Sequence, residues 1–247
     1  MNHFPYQLTG PIADKALGLI VLKADETIEQ DFRRLFLPSE TLLYTSRVPS
    51  GDTLTPDTIG EMKRHLSQAA SLFPSSAQFD AIGYACTSGT ALIGADKVKE
   101  LVSATVQATH LSDPLSAAVA ALNALGARRI GIVSPYVPSV AEPIRAAFAG
   151  AGFDVVETLT FGEEIEANVA RIDPVSIRAA AQDLARRGNL DAIFLSCTNL
   201  RTLDIIDALE KELGVAVVSS NQALAWHMAR LAGTKPAPNP PGALFAI

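Results

Sequence analysis

Asp80-Ala-Ile-Gly-Tyr-Ala-Cys86-Thr-Ser and Asp191-Ala-Ile-Phe-Leu-Ser-Cys197-Thr-Asn are two copies of one phrase, and they hold both cysteines of a 247-residue chain. In each copy Asp-Ala-Ile opens a short apolar run and Cys-Thr closes it, the pattern of a buried strand that ends in a polar turn. The copies lie 111 residues apart. Leu17-Gly-Leu-Ile-Val21 and Ile130-Gly-Ile-Val133 repeat at nearly the same offset, their glycines 113 residues apart. The chain therefore reads as two similar halves, each presenting one thiol where a strand stops.

Outward from these phrases, Val- and Ile-rich runs alternate with stretches of helical period, which predicts an α/β fold with parallel sheets covered on both faces. Strands are expected near 17–22, 41–48, 80–85, 104–108, 129–134, 153–161, 191–196 and 215–219. Helices are expected near 26–37, 56–73, 94–103, 114–125, 138–150, 174–187, 201–213 and 221–232. The helix over 56–73 has the clearest start, with Thr55 as N-cap, Pro56 in the first helical position and Asp57 at the positive end. Chain crossings near 111–114 and 214–219 divide the molecule into a first lobe of 1–113 plus 217–247 and a second of 114–216. The tail Lys235-Pro-Ala-Pro-Asn-Pro-Pro-Gly242 is too rich in proline for a helix or central strand and is expected to run extended over the surface.

Composition narrows the function. A net charge of −6, with twenty scattered Lys and Arg, argues against nucleic acid as partner, since phosphate binding needs clustered cations. No apolar run approaches the roughly 20 residues of a membrane span, and the first residues lack the basic and apolar regions of a signal peptide. Two cysteines do not make a disulfide framework, so a reducing cytoplasm is expected. No cysteine, histidine and carboxylate cluster has metal-ligand spacing, and no Gly-x-Gly-x-x-Gly follows the first strand, so neither metal nor dinucleotide cofactor is expected.

In open α/β sheets ligands bind beyond the carboxyl ends of the strands, where both cysteines fall. If the lobes pack about a pseudo-twofold axis, Cys86 and Cys197 approach one small ligand from opposite sides. One thiolate then removes a proton or attacks, and the other thiol delivers a proton. A free thiol has a pKa of about 8.5 and helix N-termini lower it, so a resting pair with one thiolate is reachable without metal or cofactor. Thr87, Ser88, Thr198 and Asn199 follow the thiols directly, placed to hold a carboxylate and the enediolate formed from it. The competing reading of each cysteine alone is a buried structural residue; the repeated phrase favours function.

These residues resemble the aspartate/glutamate racemase superfamily, in its branch containing maleate cis-trans isomerase and arylmalonate decarboxylase. Leu22-Lys-Ala-Asp25-Glu-Thr-Ile-Glu29, Ser46-Arg-Val-Pro-Ser-Gly51, Gly83-Tyr-Ala-Cys-Thr-Ser-Gly-Thr90 and Ser196-Cys-Thr-Asn-Leu-Arg-Thr202 look closest to the racemase-like proteins encoded with ectoine-utilisation enzymes. The resemblance implies two Rossmann-like lobes, a homodimer, and cofactor-independent isomerisation or racemisation beside the carboxylate of a small acid. It implies that Cys86 adds to a double bond while Cys197 acts as acid and base, or that both act as opposed bases. It also implies substrate contacts from Tyr136 and Asn168, and from Thr87 and Ser88 to a retained carboxylate. Arylmalonate decarboxylases have glycine where this chain has Cys86, which counts against decarboxylation. Maleate isomerases carry asparagine where this chain carries Asp25, and an ionised Asp25 would repel a dicarboxylate and suit an ammonium or amide group. Decarboxylation and non-catalytic binding of a small molecule are the alternatives. Arg47 and Arg201 are the cations nearest to strand ends. His110 and His227 read as turn and packing residues.

Overall fold

The computed structural model describes residues 1 and 3–247. The first half runs β1 (Lys15–Leu22), α1 (Ile28–Leu35), β2 (Thr41–Val48), α2 (Pro56–Glu61), α3 (Lys63–Ser71), β3 (Phe79–Ala85), α4 (Thr87–Ile93), α5 (Ala95–Ser103), β4 (Ala108–Ser112) and α6 (Pro114–Ala124). The second runs β5 (Arg129–Tyr136), α7 (Pro138–Gly150), β6 (Asp154–Glu163), α8 (Glu166–Val169), α9 (Pro174–Arg187), β7 (Ala192–Leu195), α10 (Ile206–Leu213), β8 (Ala216–Ser219) and α11 (Ser220–Ala232). Each half builds one four-stranded sheet, ordered β2-β1-β3-β4 and β6-β5-β7-β8, with every pair parallel.

The repeat in the sequence is a repeat in register. Gly18 lies opposite Ile82 in the first sheet and Gly131 opposite Ile193 in the second. The aspartate that opens each phrase fastens this pairing: Asp80 Oδ2 accepts from the Ala16 N–H at 2.9 Å, and Asp191 Oδ2 from the Arg128 and Arg129 N–H groups at 2.8 Å each. These bonds hold the Asp191 carboxyl below its ordinary range. Asp191→Ala is expected to cost at most about 0.5–1 kcal/mol, since water can take over its two exposed N–H partners, with Asp191→Asn closer to wild type. Urea unfolding midpoints check this; an unchanged midpoint in Asp191→Ala would show that the latch is idle.

In both sheets the connection reverses direction between the first and third strands, the crevice in which open α/β sheets bind ligands. Cys86 ends β3 and Cys197 follows β7. Helix α11 leaves β8 and packs against β3, β4 and α6. The approach at Gly83 is so close that a Cβ there would stand 2.7 Å from Met228 Sδ. The tail runs extended from α11 across the surface, with Ala237 N–H donating to Leu35 O and Gly242 N–H to Asp207, and it ends in a short 3₁₀ turn (Ala243–Ala246). Among the described residues no helix is long and apolar enough to cross a membrane.

Several boundaries differ from expectation. The strand expected at 104–108 is β4, displaced to 108–112, because Ala104 and Val106 still donate to carbonyls of α5 and end that helix. The helix expected over 56–73 is interrupted at Met62, whose N–H turns back to Ile59 O, although its Thr55 cap is present and paired reciprocally with Thr58. Residues 201–205 are irregular and 3₁₀, so α10 begins only at Ile206. The short α4 and α8 were not anticipated: neither is long enough to show a helical period.

Candidate active site

Both thiols are buried and held alike. Cys86 precedes the first turn of α4, where its Sγ accepts from the Gly89 N–H at 3.2 Å. Cys197 Sγ accepts from the Asn199 N–H at 3.3 Å. Cys197 also has φ of 104°, a conformation rare for a residue with a side chain and typically costing about 1–3 kcal/mol, of the kind that collects at functional sites. Gly89 has no room for a side chain: a Cβ would meet Tyr84 Oη at 2.4 Å and Cys86 Sγ at 2.8 Å.

The two halves are clamped together around the thiols. Ser220, the first residue of α11, pairs its hydroxyl with Thr87 Oγ1 at 2.8 Å and accepts from the Cys197 N–H at 3.0 Å. Thr198 Oγ1 donates to Ala85 O at 3.2 Å, tying the turn after β7 to the end of β3. Asn199 receives the Glu26 N–H on Oδ1 and donates from Nδ2 to Glu166 Oε1 at 3.1 Å. Arg171 pairs with Glu26 at 2.8 Å across the same seam. Across the same seam, Leu54 N–H donates to Glu164 O and Glu166 N–H to Asp52 O around an antiparallel bridge between Thr53 and Ile165. This strap, one short segment from each half, borders a cavity of about 10 Å³ lined by Ser88, Glu166, Leu22 and Met62, room for about one water. A larger cavity of 660 Å³ opens between 71–79 and 105–109, at the other end of the first sheet, and none of its lining side chains is ionisable.

The expected site residues divide. Cys86, Cys197, Thr87, Ser88, Tyr136, Thr198, Asn199 and Asp25 are brought together and buried. Thr87, Thr198 and Asn199 spend their side chains on the clamp, which leaves the Ser88 hydroxyl, 3.7 Å from Cys86 Sγ, facing the cavity. Tyr136, at the end of β5, lies beside Cys197; burial first, then the neighbouring thiols, push its hydroxyl well above its usual range. Asn168 is not brought to the thiols. It is exposed on α8 with its amide turned to Glu163, while Glu166 occupies the inward position of that helix. Arg47 is not a free carboxylate binder either: it donates to the carbonyls of Leu22, Lys23 and Asp25 and pairs with Glu29, steadying the loop that carries Asp25. Arg201 is exposed beside a separate surface cavity. His110 sits within β4, and His227 Nδ1 pairs with Ser112.

Two functional candidates escaped the sequence reading. Ser220 carries no motif beyond the Ser-Ser start of a helix, and its role appears only when α11 crosses to Thr87. Glu166, 2% exposed, opens the four-residue helix α8, too short to leave a period in the sequence. Burial pushes its carboxyl up to about 7, against the Asn199 hydrogen bond, and the Asp25 charge adds to the rise.

The electrostatics of the site do not favour a resting thiolate. Burial pushes the Cys86 thiol up to about 12, and Cys197 is raised well above its usual value by burial and the Glu166 charge. In this closed state both cysteines are thiols: two N–H donors do not outweigh desolvation beside carboxylates. Among the described residues no group of three or more His, Cys, Asp or Glu side chains is arranged to hold a metal ion.

Two doubly wound halves with a thiol at each switch point define a two-lobed, paired-cysteine α/β enzyme. The chain belongs to the arylmalonate decarboxylase family, whose model matches residues 17–245. It is 34% identical over 113 residues to arylmalonate decarboxylase of Bordetella bronchiseptica, a match spanning 45% of this chain and 47% of that protein. It is 26% identical over 226 residues to maleate isomerase of Nocardia farcinica, covering 87% and 89% of the two chains. A variant structure of the Nocardia farcinica maleate cis-trans isomerase, bearing a covalently bound succinylcysteine intermediate, superposes with a TM-score of 0.78 at 21% identity, covering 94% of this chain and 98% of that one.

Proposed function

We propose that this chain is a cofactor-independent isomerase or racemase that works through Cys86 and Cys197 at the carbon beside the carboxylate of a small acid. The observation that carries the reading is the pair of thiols at equivalent strand ends, clamped to each other through Thr87, Ser220 and Thr198. In the racemase form, one thiolate takes the α-hydrogen as a proton and the C–H electron pair passes into the carboxylate. The opposite thiol then gives its proton to the other face of the carbon, and the two cysteines exchange protonation states. In the cis-trans form, the Cys86 thiolate adds to one alkene carbon while Cys197 gives its proton to the other, rotation about the resulting single bond follows, and Cys197 takes the proton back as the sulfur leaves and the alkene re-forms. The succinylcysteine held by the Nocardia relative is the adduct of such an addition. Ser88 holds the carboxylate, Tyr136 steadies Cys197, and Thr87, Thr198 and Asn199 position the thiols. The cavity beside Ser88 and Glu166, at about 10 Å³, is smaller than such a substrate, so the strap moves aside to admit it.

The family name favours a second reading, decarboxylation of a malonate-type acid, in which one cysteine protonates one face. Cys86 in place of glycine counts against it. Proton NMR in deuterated water, over free and N-acyl α-amino acids and cis-diacids, tests the proposal. The expected result is α-deuteration with loss of optical rotation, or cis-trans conversion, without added cofactor. Carbon dioxide release from phenylmalonate without either reaction would transfer the assignment to decarboxylation.

A reducing cytoplasmic setting, supported by the two free thiols, is part of the same proposal. So is a homodimer, supported by the exposed Phe4, Tyr6, Leu8 and Ile12. The division into lobes 1–113 plus 217–247 and 114–216 is proposed with the second crossing moved to the start of α11, since β8 pairs with β7 through Ser219.

A further inference from the structure

Cys197 holds a strained φ of 104°, so the bonds around the turn after β7 decide where its thiol sits. Two neighbours at the start of α11 grip that turn. Ser220 Oγ accepts from the Cys197 N–H at 3.0 Å, and Asn221 Nδ2 donates to Thr198 O at 2.8 Å. Asn221 Nδ2 gives its other hydrogen to Asp31 Oδ2, also at 2.8 Å, on α1 of the first half. Asn221 is fully buried and Asp31 nearly so, yet Asn221 Oδ1 has no partner. Both groups facing Nδ2 are acceptors, so only this orientation of the amide avoids setting oxygen against oxygen. A buried amide with a bare oxygen loses stability that an apolar side chain would keep, which points to a use other than packing.

Resting on the two-thiol reading above, we propose that Asn221 is a positioning residue for Cys197 and that Asp31 acts through it. The carboxyl orients the amide, the amide holds Thr198 O, and the held turn keeps Cys197 Sγ on the Asn199 N–H. A residue of the first half thereby sets the geometry of the thiol of the second. Cys86 has no counterpart of this chain of bonds: its φ of −150° is ordinary extended backbone, and its Sγ accepts from Gly89 within the first turn of α4. Losing Asn221 should therefore disturb one thiol and spare the other. Misplacement of a reacting group by about 1 Å can cost about 100-fold in rate, so a small relaxation of the turn is enough to matter.

The test is amide hydrogen exchange of the full chain by NMR, in Asn221→Leu, Asp31→Leu, the double variant and Asp31→Asn. In Asn221→Leu the Cys197 and Asn199 N–H groups are expected to exchange at least about 10-fold faster than in wild type, with the Gly89 N–H within about 2-fold. Asp31→Leu should act in the same direction more weakly, and the double variant should match Asn221→Leu rather than add to it. Asp31→Asn keeps an acceptor oxygen and should restore most of the protection. Melting temperature is the control: the double variant replaces both partners by apolar groups and should melt above Asn221→Leu while its Cys197 turn stays loose. With the substrate panel above, deuterium wash-in at the face served by Cys197 should fall about 10- to 100-fold in Asn221→Leu, and at the other face far less. Equal acceleration at Gly89, protection that simply follows melting temperature, additive effects of the two leucines, or an undisturbed Asn199 N–H overturns the proposal. If Asn221→Leu does not fold, Asp31→Leu against Asp31→Asn gives the same comparison of Asn199 with Gly89. Amide exchange needs no turnover, so a wild-type chain that shows the amide pattern but exchanges no substrate hydrogen sinks the two-thiol reading alone.

Discussion

Cys197→Ser is expected to abolish turnover, by on the order of 10³-fold or more. Cys86→Ser is expected to abolish net inversion but to leave hydrogen exchange from one face. A serine hydroxyl has nearly the volume of the thiol and still accepts from the Asn199 or Gly89 N–H, so the fold is preserved while the acid-base group is lost. General acid-base catalysis by one positioned group contributes about 10²–10⁴-fold, and groups that act as a unit lose most of their effect when either is removed. Adding the second serine should therefore cost far less than a second factor of 10³. The decisive measurement is the wash-in rate of solvent deuterium for each enantiomer separately, with circular dichroism as the control for folding. If both single variants turn over at the wild-type rate, the cysteines are structural.

The repeated phrase exposed most of this arrangement because both its ends are constrained. Asp80 and Asp191 must reach the start of the neighbouring strand, and Cys86 and Cys197 must leave the sheet at the switch point, so the same residue types recur at the same spacing. Apolar runs placed β1, β3, β5 and β7 for a similar reason: strands covered on both faces leave little choice of residue. Where one face is exposed the signal fades. In β4, Ala108 and His110 are partly buried and Thr109 exposed, and the apolar Val106 just before them belongs to the end of α5. The clamp was unreadable because its partners are far apart in sequence: Thr87 meets Ser220 and Asn199 meets Glu166 only after the halves dock. Glu166 and Asn168 stand two residues apart in one loop, and which of them turns inward depends on the one-turn helix α8 and the bridge to Thr53. Neither leaves a periodic trace.

Stability is expected to fall as pH rises from 5 to 8, and Glu166→Gln should remove much of that slope. Glu166 binds its proton with a pKa of about 7 in the folded chain and 4.5 as an ordinary glutamate. Below 4.5 it is protonated in both states and costs nothing. As pH climbs through 7 the folded state must hold a buried carboxylate, a loss that grows to about 3 kcal/mol. Asp31, bonded to Asn221 and pushed up to about 6 by burial, acts in the same direction at slightly lower pH. The exposed carboxylates paired with arginine or with backbone N–H groups, among them Asp183, Glu212 and Asp173, are lowered, so their support is lost only under stronger acid. The optimum thus lies near pH 5. In Glu166→Gln the amide keeps an oxygen for Asn199 and carries no charge. The variant should gain roughly 5–10 °C in Tm at pH 8 and about a quarter of that at pH 5. A Tm profile that is flat from pH 5 to 8, or equally steep in the variant, would remove Glu166 from this role.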